Sequence, residues 1–167
     1  MKPLEILHKL KEQKMLSKSH LDFHGIPIEG AFFNFFAKCE KLGFTESIIP
    51  RSGNTMFMSN PSMDNEMAIM ASIGEPSMRI YELRETFPVN SSDAINLKEE
   101  KVIEFKNIYQ TVDVPGEESE ILLVLQEGKY TGLIKFEVWE SDDTEWYVAV
   151  CYIDAQTMLE HEKSDFE

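Results

Sequence analysis

The chain has 167 residues and a mass of 19.3 kDa, with 43% apolar and 28% charged residues, so it has the size and the core-forming material of one globular domain. This composition excludes collagen-like, disulfide-rich and intrinsically disordered proteins, and the net charge of −14 argues against direct nucleic-acid binding through the bulk of the surface. No apolar run reaches the roughly 18 residues of a membrane span, and the N-terminus lacks the apolar stretch of a secretory signal, so we expect a cytoplasmic protein that binds no membrane.

Two helices are predicted in the N-terminal part of the chain. The first covers residues 3–16, because Pro3 is tolerated in a first helical turn and leucines follow at helical spacing. The second begins at Pro27, carries a stripe of phenylalanines, and ends at Gly43, where a left-handed cap is expected. Phe44 is then expected to fold back onto the last turn of this helix.

Beyond residue 44 the apolar pattern alternates with a period of two, which is typical of β-strands. Turn residues separate these segments, and an antiparallel meander is their simplest arrangement. The predicted strands cover residues 45–50, 55–59, 66–73, 78–83, 120–127, 131–140 and 145–153. A short helix over residues 155–163 follows them, whereas residues 101–111 fit no element clearly.

These elements predict an α+β fold in which two N-terminal helices are followed by a mainly antiparallel sheet and a short C-terminal helix. We expect residues 1–167 to form a single globular domain. The turn-rich segment 87–93 is the best candidate linker, so a subdivision near residues 87–98 is the alternative.

The negative charge is concentrated in the C-terminal half. Residues 1–90 hold 11 acids and 10 bases, whereas residues 91–167 hold 19 acids and 6 bases. Such a surface attracts a basic protein and repels the phosphates of a nucleic acid, although acidity can also serve solubility alone.

The sulfur-containing residues predict packing rather than chemistry. Cys39 and Cys151 lie in apolar stretches, so both are expected to be buried free thiols, which suits a reducing compartment. Six of the nine methionines lie between Met56 and Met78, which indicates a loosely packed core or, alternatively, an adaptable binding surface.

One cluster has residue types that bind metals. In an extended segment His20, Asp22 and His24 point to the same side and could hold a divalent metal ion. The interpretation that we favour makes them ordinary polar residues of a loop between two helices. No catalytic signature or cofactor motif is present, so we lean against an enzyme and expect no cofactor.

The last two strands carry the residues that we predict to bind a partner. A four-residue loop at 141–144 would pair Trp139 with Trp146 and place both indoles on one face, rimmed by acids. A helix covering that face is the competing interpretation. The predicted partner-binding residues are Glu137, Trp139, Glu140, Asp142, Asp143, Glu145 and Trp146. The acids among them lack the glycine and the spacing of an EF-hand loop, so a calcium site is not favoured.

The sequence thus favours an acidic binding protein that docks a basic protein partner. In general character it is similar to immunity and inhibitor proteins that neutralise a cationic toxin or a nucleic-acid enzyme, and a chaperone role is a variant of the same class. The alternative is a small divalent-metal-dependent enzyme or sensor that uses His20, Asp22 and His24. The oligomeric state is not predicted.

Overall fold

The computed structural model describes residues 2–46, 55–60, 68–74, 78–114, 120–141 and 145–166. Over these residues the fold is α+β, as predicted. The helices are α1 (Pro3–Glu12), α2 (Phe32–Glu40), α3 (Ala94–Ile108) and α4 (Ala155–Phe166). The strands are β1 (Asp22–Phe23), β2 (Ile26–Pro27), β3 (Thr45–Glu46), β4 (Thr55–Ser59), β5 (Ala68–Gly74), β6 (Arg79–Val89), β7 (Gln110–Val114), β8 (Glu120–Gln126), β9 (Lys129–Glu140) and β10 (Trp146–Asp154).

Within the described residues the main sheet has eight strands in the order β3-β4-β5-β6-β10-β9-β8-β7, and each strand is antiparallel to its neighbours. It consists of two four-stranded meanders that join where β6 pairs with β10. α3 connects the last strand of the first meander to the outer strand of the second. The predicted order of elements is therefore only partly correct, because β1, β2 and α3 interrupt it.

One face of the sheet packs against α2, α3 and the β1–β2 hairpin. The largest buried side chains of this core include Phe23 of the hairpin, Phe35 of α2, and Phe136 and Tyr152 of the sheet, each at most 1% exposed. The ring of Phe23 meets that of Tyr152 edge-on, with 5.2 Å between the centroids. The hairpin is thus fixed on the centre of the sheet by an aromatic side chain.

The opposite face is covered at one end by α1 and α4. Leu7 and Leu10 of α1 belong to a second buried cluster with Leu133 of β9 and Ile153 of β10. Trp139 lies six residues after Leu133, about 20 Å further along the strand. At that end of the face the side chains are only half-buried.

The cap of α2 confirms one sequence-based prediction. Gly43 has a φ of 100°, the left-handed conformation that glycine adopts without strain. The backbone N–H of Phe44 donates to the carbonyl oxygen of Cys39 at 3.2 Å, and the Phe44 side chain is 1% exposed. The chain therefore turns back onto the helix as expected.

The helices differ from the prediction in three ways. α1 ends at Glu12 and not at residue 16. Pro27 does not begin α2, because it pairs with β1 in the hairpin and α2 starts five residues later. The sequence pattern does not predict α3, because the helix's own apolar residues are spread around it and do not form one stripe. Val102 and Phe105 are buried, whereas Ile95 and Ile103 are 63% and 61% exposed. None of the helices that the structure describes is long and apolar enough to cross a bilayer.

The predicted linker begins inside the sheet. Phe87 is 5% exposed, and β6 continues to Val89 before the short turn that leads into α3. Phe87 and Val102 of α3 belong to the same buried cluster, which ties the two sides of this turn together. The single-domain organisation itself stays a prediction.

Candidate functional site

The β9–β10 hairpin, which carries the predicted partner-binding residues, has a different register from the one predicted. Trp139 pairs with Tyr147, and Trp146 pairs with Glu140. The connecting segment 141–145 is one residue longer than expected. Because side chains alternate along a strand, a shift of one residue moves each side chain of β10 to the other face relative to β9.

Trp139 and Trp146 therefore lie on opposite faces of the sheet, and the prediction of a paired-tryptophan anchor is wrong. Glu137 shares the face of Trp139, whereas Glu140 shares the face of Trp146. Two of the predicted residues lie outside the described part of the chain: Asp142 and Asp143. A binding role for the individual residues stays a prediction.

Four side chains around Trp139, those of Arg84, Lys135, Glu137 and Trp139, form what we call the Trp139 patch. The indole N–H of Trp139 donates to Oε2 of Glu137 at 2.7 Å, and Nζ of Lys135 lies 2.6 Å from Oε1. The guanidinium of Arg84 lies 5.3 Å from the centre of the indole ring. Each charge of this patch is thus paired, Lys135 with Glu137 and Arg84 with Glu82 beside the patch, where Nε of Arg84 lies 2.5 Å from Oε1 of Glu82.

The pKa of Glu137 reflects this compensation. Burial by itself would raise the pKa of this carboxyl. The hydrogen bonds from Lys135 and Trp139 outweigh the burial and lower the pKa below its ordinary value. Glu137 is therefore held as a carboxylate that serves its own neighbours.

An open cleft of about 710 Å³ lies beside Trp146, where β6 ends and β10 begins. Its volume falls in the range of ligand pockets. We call it the Trp146 cleft, and it is lined by Pro88, Val89, Asn90, Ser91, Glu145, Trp146 and Tyr147. The lining residues come from both faces of the hairpin, because Tyr147 pairs with Trp139 and leaves the sheet on the Trp139 face, whereas Trp146 leaves it on the other face.

The carboxylate of Glu145 is held on the face of Trp139, because it bonds to Tyr147, which pairs with Trp139. The hydroxyl of Tyr147 donates to Oε2 of Glu145 at 2.5 Å, and the backbone N–H of Glu145 donates to Oγ of Ser141 at 3.2 Å. Glu140 is the cross-strand neighbour of Trp146, so its side chain leaves the sheet on the same face. Of these two exposed acids, only Glu140 shares the face of the half-buried Trp146 indole.

The predicted metal cluster is arranged differently. His24 and Gly25, with φ angles of 49° and 83°, form the two-residue turn of the β1–β2 hairpin. Nε2 of His24 lies 3.2 Å from Oε1 of Glu85, whereas Nδ1 of His20 lies 2.8 Å from Oδ2 of Asp154. The two imidazoles therefore contact different carboxylates.

Asp22 joins neither of these pairs through a hydrogen bond; its backbone carbonyl accepts one from the hydroxyl of Tyr109 at 2.8 Å. Burial raises the pKa of the Asp22 carboxyl. Among the described residues, no three His, Cys, Asp or Glu side chains are placed to hold a metal ion. The alternative of a metal site at His20, Asp22 and His24 thus gains no support from the geometry.

The sequence did not indicate the two carboxylates that pair with these histidines. Glu85 and Asp154 are each 1% exposed, and Glu85 also accepts a hydrogen bond from the hydroxyl of Tyr152. The sequence of β6 does hold a signal for Glu85, because this residue lies on the same side of the strand as the apolar Leu83 and Phe87. A carboxylate at an inward position of an apolar strand requires a buried partner.

The contacts with these carboxylates change the pKa values of both histidines. The hydrogen bond with Asp154 raises the pKa of His20, and that with Glu85 raises the pKa of His24. In both cases burial acts in the opposite direction and is outweighed. Both pairs therefore favour the protonated imidazole.

The two cysteines are free and buried, as predicted. Burial raises the pKa of the Cys39 thiol to about 12 and that of the Cys151 thiol well above its usual value. A nucleophilic cysteine needs a thiolate near neutral pH. Both thiols therefore stay protonated, and the thiol of Cys151 donates a hydrogen bond to Oε1 of Glu82 at 3.0 Å.

The chain matches no protein-family model, no curated protein and no solved structure. Its function is accordingly inferred from the site itself.

Proposed function

We propose that the protein is an acidic, non-enzymatic binding protein whose β9–β10 hairpin docks a basic protein partner. The proposed biological role is that of an immunity or inhibitor protein that neutralises a cationic toxin or a nucleic-acid enzyme. In this role the partner-binding residues are Trp146 with Glu140 on one side of the hairpin, and Trp139 with Glu137 and Glu145 on the other.

The observation that carries the proposal is the combination of groups at the Trp146 cleft. A half-buried tryptophan at the end of a strand pair, with Glu140 on the same face and Glu145 next to it in the chain, has the composition of an interface anchor. In such anchors the aromatic ring supplies most of the binding energy, while charged groups orient the partner. The exposed carboxylates of Glu140 and Glu145 favour a partner with basic groups.

The Trp139 patch supports the proposal in a secondary way. Its members are only half-buried although they belong to the centre of the sheet. Because its charges are already paired, it offers a partner mainly the edge of an indole and the stems of Arg84 and Lys135. We expect it to contribute contact area rather than charge selection.

The test begins with the partner itself. The immobilised protein captures its partner from a lysate of the source cells, mass spectrometry identifies the partner, and calorimetry with the purified partner measures the affinity. We expect Trp146→Ala to weaken binding by about 2 kcal/mol or more. We expect Trp139→Ala to weaken binding by a smaller amount.

Each variant needs a folding control, because a half-buried tryptophan also contributes to packing. Circular dichroism and the thermal unfolding midpoint establish whether the variants are folded, and Glu12→Gln, an exposed acid at the end of α1, serves as the charge control. The proposal fails if folded Trp146→Ala and Trp139→Ala both bind the partner as tightly as the wild type.

A further inference from the structure

The last strand of the main sheet, β7, has one edge that no described strand covers. Among the residues that the structure describes, β7 pairs with β8 alone and is the outermost of the eight strands. In an antiparallel ladder every second residue directs its N–H and C=O groups away from the partner strand. The outer edge of β7 therefore presents a row of backbone donors and acceptors that match another extended strand.

The sequence of β7 lacks the features that usually protect an exposed edge. Natural proteins place prolines, lysines or β-bulges there, because a bare edge pairs with other strands. β7 covers five residues, Gln110–Val114, which include neither proline nor lysine. All five pair with β8 without a shift of register. The edge is thus regular enough for a further strand to pair along its whole length.

The charge at this edge differs from that of the molecule as a whole. The chain has a net charge of −14, whereas β7 has one charged side chain, that of Asp113. Nζ of Lys106 on α3 lies 3.1 Å from Oδ1 of Asp113 and neutralises it. Such an edge does not select a basic partner, but it lets two copies of an acidic chain approach with little local repulsion.

The surface beside this edge is also apolar. The large apolar side chains exposed among the described residues include Ile103, Ile108 and Val112, which are 61%, 65% and 39% exposed. All three belong to the short segment that ends α3 and enters β7. Covering such side chains favours association in water.

We propose that β7 pairs with β7 of a second copy of this chain, antiparallel and about a two-fold axis at Val112. This is the two-fold register that pairs all five residues of the strand. Val112 then faces its own copy, Thr111 faces Asp113 of the second copy, and Gln110 faces Val114 of the second copy. No like charges are opposed, and the hydroxyl of Thr111 can donate to the carboxylate of Asp113.

The dimer goes beyond the proposed function and does not rest on it. β8 separates β7 from β9, so the β9–β10 hairpin lies outside the paired edge. One sheet continues through both copies, and each copy keeps its own hairpin for a partner.

Analytical ultracentrifugation of the full chain over a series of concentrations tests the proposal. We expect the mass to rise from the 19.3 kDa of one chain towards twice that value. Each copy is strongly acidic, so long-range repulsion opposes the dimer and salt should screen it. Between about 0.05 M and about 0.5 M ionic strength we expect the dimer to become tighter by about threefold or more.

Substitutions in β7 test the register. Val112→Lys sets two ammonium groups opposite each other and should raise the dissociation constant of the dimer by about tenfold or more. Thr111→Asp, opposite Asp113 of the second copy, should raise it by about threefold or more, whereas Thr111→Lys should not. Ile95→Lys is the matched control, because Ile95 is an equally exposed apolar residue in the first turn of α3. Circular dichroism establishes that each variant is folded.

Amide hydrogen exchange locates the interface. The backbone amides of residues 110–114 should exchange more slowly when the chain is dimeric, and those at the open end of the β9–β10 hairpin should not change.

The proposal fails if the chain stays monomeric up to about 1 mM. It also fails if a dimer forms without slower exchange in β7, or if folded Val112→Lys and Thr111→Asp dimerise as tightly as the wild type. A monomeric chain whose β7 amides are protected only by a captured protein would mean that the edge takes a strand of that protein, which likewise overturns the proposal.

Discussion

At the scale of single residues, two histidine–carboxylate pairs connect the β1–β2 hairpin region to the sheet. His20 meets the buried carboxylate of Asp154, and His24 meets that of Glu85. The carboxylates raise the pKa of both histidines. A histidine whose pKa is higher in the folded state than in the unfolded state stabilises the fold while it is protonated in both states.

The stability of the protein should therefore depend on pH through these pairs. Their contribution is fully present below about pH 6.5, the ordinary pKa of histidine, and is lost as the pH rises through the raised pKa values of the folded state. We expect the unfolding midpoint of the wild type to fall relative to His20→Gln and His24→Gln as the pH increases across this window. Urea unfolding at a series of pH values measures this difference.

A matched variant, His8→Gln on α1, separates this effect from a general one, because His8 is half-exposed and its partner Glu162 lies outside the buried sheet pairs. A pH slope that is the same in all three variants as in the wild type would contradict the assignment of the pairs.

At the scale of elements, Asp154 joins the end of β10, the start of α4 and the segment before β1. Its Oδ1 accepts the backbone N–H of Leu21 at 2.7 Å, and its Oδ2 accepts that of Thr157 at 3.1 Å. The second bond is an N-terminal helix cap, which satisfies one of the free N–H groups of the first turn of α4. One buried carboxylate thus fixes three elements that are distant in sequence.

Asp154→Ala should therefore destabilise the protein by about 2–4 kcal/mol, because it removes a helix cap and leaves a buried N–H without its acceptor. Asp154→Asn should cost less, since the amide oxygen still accepts one of the two bonds. The free energy of unfolding in urea near pH 7 measures both changes. Asp113→Ala is the control, because Asp113 is 69% exposed and pairs with Lys106 at the surface. A loss for Asp154→Ala no larger than that of the control would refute the role of the cap.

At the scale of the whole molecule, the excess of acids in residues 91–167 lies in the half of the chain that supplies α3, β7 to β10 and α4. Both β9 and β10 are central strands of the sheet, so Glu140 and Trp146 lie near the middle of one end of the sheet. Under the proposed function, a basic partner that approaches this end would be attracted over a long range before any contact forms.

The association rate of the captured partner should accordingly fall with salt. Between about 0.01 M and about 1 M ionic strength the screening length drops from about 30 Å to about 3 Å, and we expect the rate to fall by about tenfold or more. Dissociation, which depends on short-range contacts at Trp146, should change less. Stopped-flow mixing measures both rates. An association rate that does not change with salt would remove the electrostatic part of the proposal.

The local sequence pattern was sufficient to predict several parts of the fold. The strands β4, β8, β9 and β10 and the helix α4 lie within a few residues of their predicted positions. The α+β class and the burial of both cysteines are confirmed. These features depend on the period of apolar residues and on single turn residues such as Gly43, and both can be seen in a short stretch of sequence.

The tertiary structure decided the rest, including the candidate site. One additional loop residue between Glu140 and Trp146 separated the two tryptophans onto opposite faces, because side chains alternate along a strand and register has no local signature in a polar loop. The partners of His20 and His24 lie 134 and 61 residues away along the chain. Contacts of that range arise only when the sheet brings distant strands together, so the sequence by itself determined which residues are unusual, and the packing of the sheet determined what each of them faces.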